Sequence, residues 1–396
     1  MRLTSREVAY GFAYGESGYL GPLPRVAAGR SPLAAMEDAI VPALRRSPCL
    51  VSFSGGRDSS VVLAVAARAA RREGLALPVP VTQRFRDAPR TAESEWQELV
   101  VKHLALPDWE RVDAGSEFGF VGSAATRCLR RHGLLWPPNC HFHAPLLERA
   151  GGGSLLTGLD GDTVLGGWPW VRVASVLSGR AKPEPRDLLR LGRAATPGPV
   201  RRLVDRWRGS RAPAAPWLRP SERDAYVSTW RDALNEPVRW NARVTALARK
   251  RYLAVAFWSL QTLADDTGTL LLHPFLDPGF LAALACAGGV RGWGDRTTTT
   301  AALFGEILPR ETVTRTSKAT FDEVSWSEPS RDFARNWNGA GVNEELVDPD
   351  ALRAEWLNDT PHFGTATLLQ SAWLHANKIT ATRSTNNPMI ASERQR

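Results

Sequence analysis

The segment LVSFSGGRDSS, residues 50–60, limits what this chain can fold into more than any other stretch. The apolar run from Cys49 to Phe53 predicts a buried strand, because short apolar runs are typical of sheets covered on both faces. Ser54-Gly55-Gly56 predicts a tight turn in which the backbone comes close to a ligand. A helix is expected to begin after this turn, and amide groups at a helix N-terminus bind anions. The segment therefore predicts an anion site at the edge of an α/β sheet.

Asp58 lies just after this turn, and its carboxylate would repel a bound phosphate unless a divalent cation lay between them. We therefore interpret the segment as a site for pyrophosphate and Mg²⁺, with Asp58 as a metal ligand. The same residues have a simpler interpretation as a structural turn between a strand and a helix. On the first interpretation, the phosphates are held by Ser52, Ser54, Gly55, Gly56 and Ser59.

A second glycine-rich acidic turn follows the short apolar segment 154–157, which predicts another strand. Because the carboxyl ends of parallel strands meet at one edge of a sheet, the two turns are expected to face each other. Asp58 and Asp162 then share the Mg²⁺, and Gly158 and Gly161 lie beside the bound phosphates. Each aspartate alone has an alternative role as a helix cap.

The surrounding chain alternates between predicted strands and helices. Val79–Phe85 predicts a strand, and Val61–Arg72 and Ala92–Leu104 predict helices. This order predicts an α/β fold, a parallel Rossmann-like sheet with helices on both faces, together with a mostly helical C-terminal region. We expect four segments: an irregular N-terminal extension 1–30, an α/β core 31–177, a basic flexible insertion 178–220 and a helical C-terminal part 221–396.

Composition excludes several classes of protein. The chain has 396 residues, of which 43% are hydrophobic and 8% aromatic. This length and composition predict a globular protein with two or three subdomains. It contains neither a long apolar run nor a secretory leader pattern, so we expect a cytoplasmic protein that does not enter a membrane. No C-x-x-C pattern is present, which favours a reducing compartment without a zinc knuckle; the scattered cysteines are Cys49, Cys128, Cys140 and Cys286.

The formal net charge is +9, and arginine supplies nearly all of the basic residues. Such a charge attracts nucleic acid, anionic substrates or an acidic partner protein. An alternative explanation is that the arginine, alanine, glycine and proline content reflects genome composition. Charge therefore argues for solubility and steering rather than for one function.

The first turn resembles the PP-loop of the ATP pyrophosphatase superfamily, whose fold is of the adenine nucleotide alpha hydrolase-like type. The second turn is similar to the Gly-x-Gly-Gly-Asp-Glu-x-Phe-Gly-Gly-Tyr segment of asparagine-synthetase-type enzymes. HPFLD at residues 273–277 is similar to the Pro-Phe-Leu-Asp motif of that family. RTSKATF at 315–321 is similar to its Arg-x-Lys-x-x-Phe region, and residues 341–349 are similar to part of the lasso-peptide cyclases.

The resemblance implies cleavage of ATP between the α- and β-phosphates, with Mg²⁺, to give an adenylated carboxylate that an amine then converts to an amide. Lys318, one of only five lysines, is expected to stabilise the charge that develops during these steps, although a surface role is the alternative. Leu159 replaces the Glu or Tyr of related enzymes. Asp160 is therefore our candidate for the catalytic base.

Asparagine synthetase begins with a glutaminase domain whose cysteine follows Met1, whereas residue 2 here is Arg2. We therefore expect the amine to be free ammonia, a substrate amine, or ammonia made by a separate protein. A carboxylate and an amine, from a small molecule or a precursor peptide, are the expected substrates. A peptide-pathway protein is a candidate partner.

Three functions compete with amide ligation in natural-product or lasso-type macrolactam synthesis. One is an asparagine-synthetase-like amidotransferase that uses external ammonia. A second is a tRNA-modifying PP-loop enzyme, which the basic charge favours but the second acidic turn and the Lys318 region oppose, so we do not expect a nucleic-acid partner. The third is a non-catalytic family member, because Leu159, Asp160 and Thr163 depart from the family pattern.

Overall fold

The computed structural model describes residues 2–18, 20–27, 29–86, 88–197, 200, 212–315 and 321–378. A parallel five-stranded sheet with the order β3-β2-β1-β4-β5 lies at its centre. The α/β fold with a parallel sheet and surrounding helices is thereby confirmed. The strands are β1 Cys49–Ser52, β2 Val79–Phe85, β3 Glu110–Ala114, β4 Ser154–Leu156 and β5 Leu270–Leu272.

Strand pairing brings the two glycine-rich turns to one edge of the sheet. Leu50 of β1 pairs with Val79 of β2 on one side and with Leu155 of β4 on the other. All of these pairs are parallel, so the turns that follow β1 and β4 leave the sheet at the same edge. We call residues 53–56 the first turn and residues 157–163 the second turn.

Helices cover this sheet and connect its strands. The helices up to the basic insertion are α1 Ser5–Tyr10, α2 Pro32–Leu44, α3 Arg57–Glu73, α4 Ser94–His103, α5 Ser123–His132, α6 Ala144–Ala150, α7 Gly161–Leu165, α8 Val171–Leu177 and α9 Pro185–Ala195.

The remaining described helices lie from residue 220 onward and form the C-terminal region. They are α10 Pro220–Ala233, α11 Trp240–Leu247, α12 Arg251–Asp265, α13 Pro278–Gly288, α14 Arg296–Phe304, α15 Arg310–Thr314, α16 Asp322–Ser325, α17 Glu328–Asn336, α18 Pro349–Trp356 and α19 Ala366–Ala376. Within the described ranges, no helix has both the length and the apolar character needed to cross a bilayer.

Helix α3 is the central helix of the main core and positions the first turn. It begins at Arg57, four residues before the predicted start, so the Gly-Gly pair directly precedes its N-terminus. Its residues from Val61 to Ala67 are almost entirely buried, which accounts for the apolar run in the sequence. The helix ends at Gly74, which adopts φ +65° as a left-handed cap.

Two expectations about local structure need correction, and one strand was missed. The first 30 residues are not wholly irregular, because Thr4 and Glu7 form a capping box that starts α1. Strand β3 was not predicted, since its residues are mostly exposed and charged and lack an apolar pattern. Strand β5 lies within the part expected to be helical, where three leucines complete the sheet beside β4.

The division into four segments stays a prediction. Helix α9 lies in the basic insertion, whereas residues 201–211 of that insertion and the C-terminal residues 379–396 fall outside the described residues.

Candidate functional site

A cavity of about 350 Å³ opens where the first and second turns leave the sheet. We call it the sheet-edge cavity. Six of the residues predicted to form the site line its wall: Ser52, Ser54, Gly56, Asp58, Ser59 and Gly158. Leu159 also lines it, together with residues that the sequence had not indicated, among them Arg57, Glu93, His143 and Arg296.

The first turn is held in its shape by several hydrogen bonds. Ser54 Oγ accepts from Gly56 N at 3.2 Å and lies 3.2 Å from Ser59 Oγ. Gln97 Nε2 donates to Ser54 O at 2.9 Å. Gly55 has φ +85°, and an added Cβ there would lie 2.7 Å from Gln97 Cγ. Glycine is therefore required at this position for both backbone conformation and space.

Arg315 fixes the first turn from the far end of the chain. Its Nη1 donates to Gly55 O at 2.8 Å, and its guanidinium pairs with Glu93 and lies over the ring of Trp96 at 4.6 Å. Both charged side chains are buried, at 6% and 7% exposed. The Arg57 guanidinium donates in turn to Arg315 O at 2.8 Å. The sequence pattern had pointed to Arg315 but not to its partners.

The second turn packs directly against Asp58. A Cβ at Gly161 would lie 2.6 Å from Asp58 Cγ, and one at Gly158 would lie 2.9 Å from Ser59 N. Both positions therefore need glycine, because the backbone of the second turn lies against the Asp58 carboxyl group and the backbone of Ser59, which leaves no room for a side chain. This contact brings Asp162, the residue after Gly161, to the same edge of the sheet as Asp58.

Asp58 forms an ion pair with Arg296, a residue that no sequence motif indicated. Arg296 Nη2 donates to Asp58 Oδ1 at 2.6 Å, although the two residues are 238 positions apart. Arg296 Nε is buried and has no hydrogen-bond partner within the described part of the chain. A polar atom in this state fits an anionic ligand such as a phosphate. The pKa of the nearby Arg57 is lowered by burial and by Arg296.

The donor set fits Mg²⁺ bound to ATP. Mg²⁺ commonly takes one or two protein carboxylates together with phosphate oxygens, and Asp58 and Asp162 are carboxylates at this edge of the sheet. Over the described ranges no group of three or more His, Cys, Asp or Glu side chains is placed to hold a metal on its own.

Asp160 has a strained backbone conformation and lies close to the charges of Asp162 and Asp58. Its φ of +57° is unusual for a residue with a side chain. Its carboxylate accepts from Thr163 Oγ1 at 3.1 Å and also interacts with the hydroxyl of Tyr252. Although part of its surface is open to solvent, burial and then the charge of Asp162 raise its pKa to about 7. A carboxyl group with this pKa can accept and return a proton near neutral pH.

Two histidines lie close to the start of the second turn or to the sheet-edge cavity. Thr157 Oγ1 and His273 Nδ1 are 2.6 Å apart in a buried pair. Burial lowers the pKa of His273 to about 3, so this ring stays neutral. His143 lines the sheet-edge cavity, and burial lowers its pKa as well. The sequence showed His273 only as part of a family motif.

Lys318 lies in the segment 316–320, outside the described residues. The residues on either side of this segment, Arg315 and Phe321, both line the sheet-edge cavity. The role of Lys318 therefore stays a prediction.

The fold and the site together define an α/β protein of the nucleotide-binding type, with two glycine-rich turns at one sheet edge and an aspartate in or just after each turn. The model of the asparagine synthase family matches residues 34–379, which include all five strands and both turns. The chain therefore belongs to the asparagine synthase family, whose members are ATP-dependent carbon–nitrogen ligases. No curated protein shows significant similarity to the chain.

Proposed function

We propose that the protein is an AMP-forming ligase that adenylates a substrate carboxylate and joins it to an amine. One observation carries this proposal: the backbone of the second turn packs on Asp58, which leaves no room for a Cβ at Gly161. Two carboxylates from different strands are thereby brought to the phosphate-binding turn. A structural turn between a strand and a helix does not need this arrangement.

The roles of the site residues follow from their positions. Ser52, Ser54, Gly55, Gly56 and Ser59 hold the pyrophosphate of ATP, with Gly158 and Gly161 beside it. Asp58 and Asp162 bind Mg²⁺, which when bound neutralises charge on the phosphate oxygens. Arg57 and Arg296 add positive charge to the same wall of the cavity.

The reaction has two balanced steps. A carboxylate oxygen of the acid attacks the α-phosphorus of ATP, the bond to the β-phosphate oxygen breaks, and pyrophosphate leaves. The amine nitrogen then attacks the acyl carbon of the adenylate, its proton passes to Asp160, and AMP leaves with the electrons of the broken C–O bond. We assign to Lys318 the stabilisation of negative charge in both steps.

We further propose that the product belongs to natural-product or peptide chemistry, with a lasso-type macrolactam as the leading case. The similarity of residues 341–349 to lasso-peptide cyclases supports this assignment. These residues lie on the C-terminal region, where Leu346 O accepts from Arg219 N at 2.9 Å and Asp348 N donates to Trp217 O at 2.8 Å. An asparagine-synthetase-like amidotransferase using external ammonia is the second candidate, and family membership favours it.

The test measures the products of ATP cleavage. Purified protein is mixed with MgATP and a panel of carboxylates, from amino acids to linear peptides, and pyrophosphate, AMP, ADP and phosphate are measured separately. We expect carboxylate-dependent release of pyrophosphate, and loss of that release in Asp58→Asn. Asp350→Asn is the matched control, because the Asp350 side chain is 94% exposed on α18. Formation of ADP and phosphate instead of AMP and pyrophosphate would refute adenylation.

A further inference from the structure

A second and larger cavity, of about 830 Å³, adjoins the second turn at Thr163. We call it the aromatic cavity. Its walls come from residues 12–16, residues 229–237, residues 246–252 and Trp136. Leu159 and Gly158, from the same turn, line the sheet-edge cavity instead. The second turn therefore contributes residues to both cavities.

Aromatic rings form much of the wall of the aromatic cavity. Phe12 and Trp230 meet edge to face with ring centroids 5.1 Å apart, and Trp136 and Tyr252 do so at 6.2 Å. All four rings keep part of their surface open. A water molecule occupies roughly 30 Å³ of liquid, and ammonia is of similar size. A space this large with aromatic walls is therefore suited to an organic group and not to ammonia.

In the described part of the chain, Asp232 is the carboxylate of this wall that pairs with no arginine, so it is the group placed to attract a cation. Three carboxylates line the cavity, Glu16, Asp232 and Glu236, against one ammonium, Lys250. Glu236 pairs with Arg243 at 2.5 Å and Glu16 with Arg249 at 2.7 Å, while Lys250 Nζ donates to Ala233 O at 3.0 Å. Asp232 is exposed. Aromatic faces and carboxylates together attract an ammonium group.

Hydrogen bonds connect this cavity to the proposed base. Thr163 and Tyr252 both line the cavity. Thr163 Oγ1 donates to Asp160 Oδ1 at 3.1 Å, and the Tyr252 hydroxyl interacts with Asp160 and Thr163. The hydroxyl groups of Thr163 and Tyr252 therefore lie between the aromatic cavity and the Asp160 carboxylate. An amine bound in this cavity would be connected to Asp160 through them.

We infer that the aromatic cavity binds the amine substrate, and that this amine is a primary amine carrying a bulky apolar or aromatic group. The inference rests on the proposed function, since it assigns the two substrates of one ligation to two cavities. The acyl-adenylate lies in the sheet-edge cavity and the amine in the aromatic cavity. The ammonium group first loses one proton to solvent, and the neutral nitrogen then attacks the acyl carbon. AMP leaves with the electrons of the broken C–O bond, and the second proton moves to Asp160.

Calorimetric titration of the full chain with three small probes tests the assignment. L-Phenylalaninamide carries both the amine and the ring, N-acetyl-L-phenylalaninamide lacks the charge, and glycinamide lacks the ring. We expect L-phenylalaninamide to bind at least about tenfold more tightly than either of the others, a difference of about 1.4 kcal/mol. Equal binding of the three probes, or no saturable binding of L-phenylalaninamide, would overturn the inference.

A pair of variants locates the binding. Phe12→Leu removes a ring from the cavity wall and is expected to weaken L-phenylalaninamide binding about tenfold. Phe363→Leu is the matched control, because Phe363 is 43% exposed and packs on Phe120 instead. Thermal melting checks that both variants fold, and unchanged binding in a folded Phe12→Leu would count against the cavity.

Binding of α,β-methylene-ATP is measured in parallel. Loss of nucleotide binding refutes the proposed function, whereas loss of probe selectivity refutes only the amine site.

Discussion

At the residue scale, Asp160 has the environment that most clearly suits a proton acceptor. Its pKa rises from an ordinary value of 3.8 to about 7 because the ionised carboxylate is buried beside Asp162 and Asp58. Its position also explains how Leu159 can replace an acidic residue. Leu159 lines the sheet-edge cavity, whereas Asp160 hydrogen-bonds with Thr163, a residue of the aromatic cavity. Adjacent residues therefore serve different cavities.

Replacing Asp160 should change how stability depends on pH. Because folding raises the pKa of Asp160, the ionised form destabilises the folded chain, and this cost appears as pH rises from about 4 to about 7. Asp160→Asn should therefore leave stability unchanged near pH 4 and raise it above pH 7, by on the order of 2–4 kcal/mol. Asparagine also tolerates the positive φ of this position. Urea unfolding of both proteins across this range measures the difference, and a constant difference at every pH would contradict the raised pKa.

The close contact of Gly161 with Asp58 allows a test of whether the second turn must pack on Asp58 for the nucleotide to bind. Alanine at this position would place its Cβ 2.6 Å from Asp58 Cγ, so the turns must separate. We expect Gly161→Ala to weaken MgATP binding by a factor of about 10–100, or about 1.4–2.8 kcal/mol, measured by calorimetry. Gly18→Ala is the control, since an added Cβ there meets no atom within 4 Å. Equal affinities in the two variants would show that the contact is unimportant for the nucleotide.

At the scale of elements, sequence patterns predicted those parts of the fold that local residues determine. Strand β2 has the predicted bounds, and the glycine–acid pattern led to both turns. Strand β3 could not be found, since it is stabilised by pairing with β2 and not by its own apolar residues. Arg296 was also missed, because its partner Asp58 is 238 positions away and only the folded chain brings them together. The roles of Tyr252 and Glu93 depend on similar long-range contacts.

Arg315 links such distant elements and gives a test of that link. Its buried guanidinium joins the end of α15 to the first turn and to Glu93 at the start of α4. Arg315→Lys keeps the positive charge, but a lysine cannot contact Gly55 O and the Glu93 carboxylate at the same time as the guanidinium does. These buried groups would be poorly paired, so we expect the free energy of unfolding, measured in urea, to fall by about 3–5 kcal/mol. Arg335→Lys is the matched change, because the Arg335 ion pairs with Glu328 and Asp332 are exposed and worth about 0–1 kcal/mol. Similar losses in both variants would show that burial of Arg315 has no special effect.

At the scale of the whole molecule, the parallel sheet brings the segments that follow β1 and β4 to one edge, although Leu50 and Leu155, which pair there, are 105 residues apart. The proposed metal site therefore exists only in the complete fold. A ligand that binds the folded chain alone raises its melting temperature by mass action. Stabilisation by ATP thus reports on the assembled site even before the acid and the amine are known.

We expect ATP to raise the melting temperature of the wild-type chain more with Mg²⁺ than with EDTA. In Asp58→Asn/Asp162→Asn the added effect of Mg²⁺ should disappear, because both protein oxygens that bind the metal lose their charge. Weak stabilisation by ATP itself should remain, since the amide groups of the first turn and the nearby arginines still meet the phosphates. Asp350→Asn, on an exposed turn of α18, should behave like the wild type. If the double variant keeps the full Mg²⁺ effect, the metal binds through nucleotide phosphates alone, and the two acidic turns must be assigned another role.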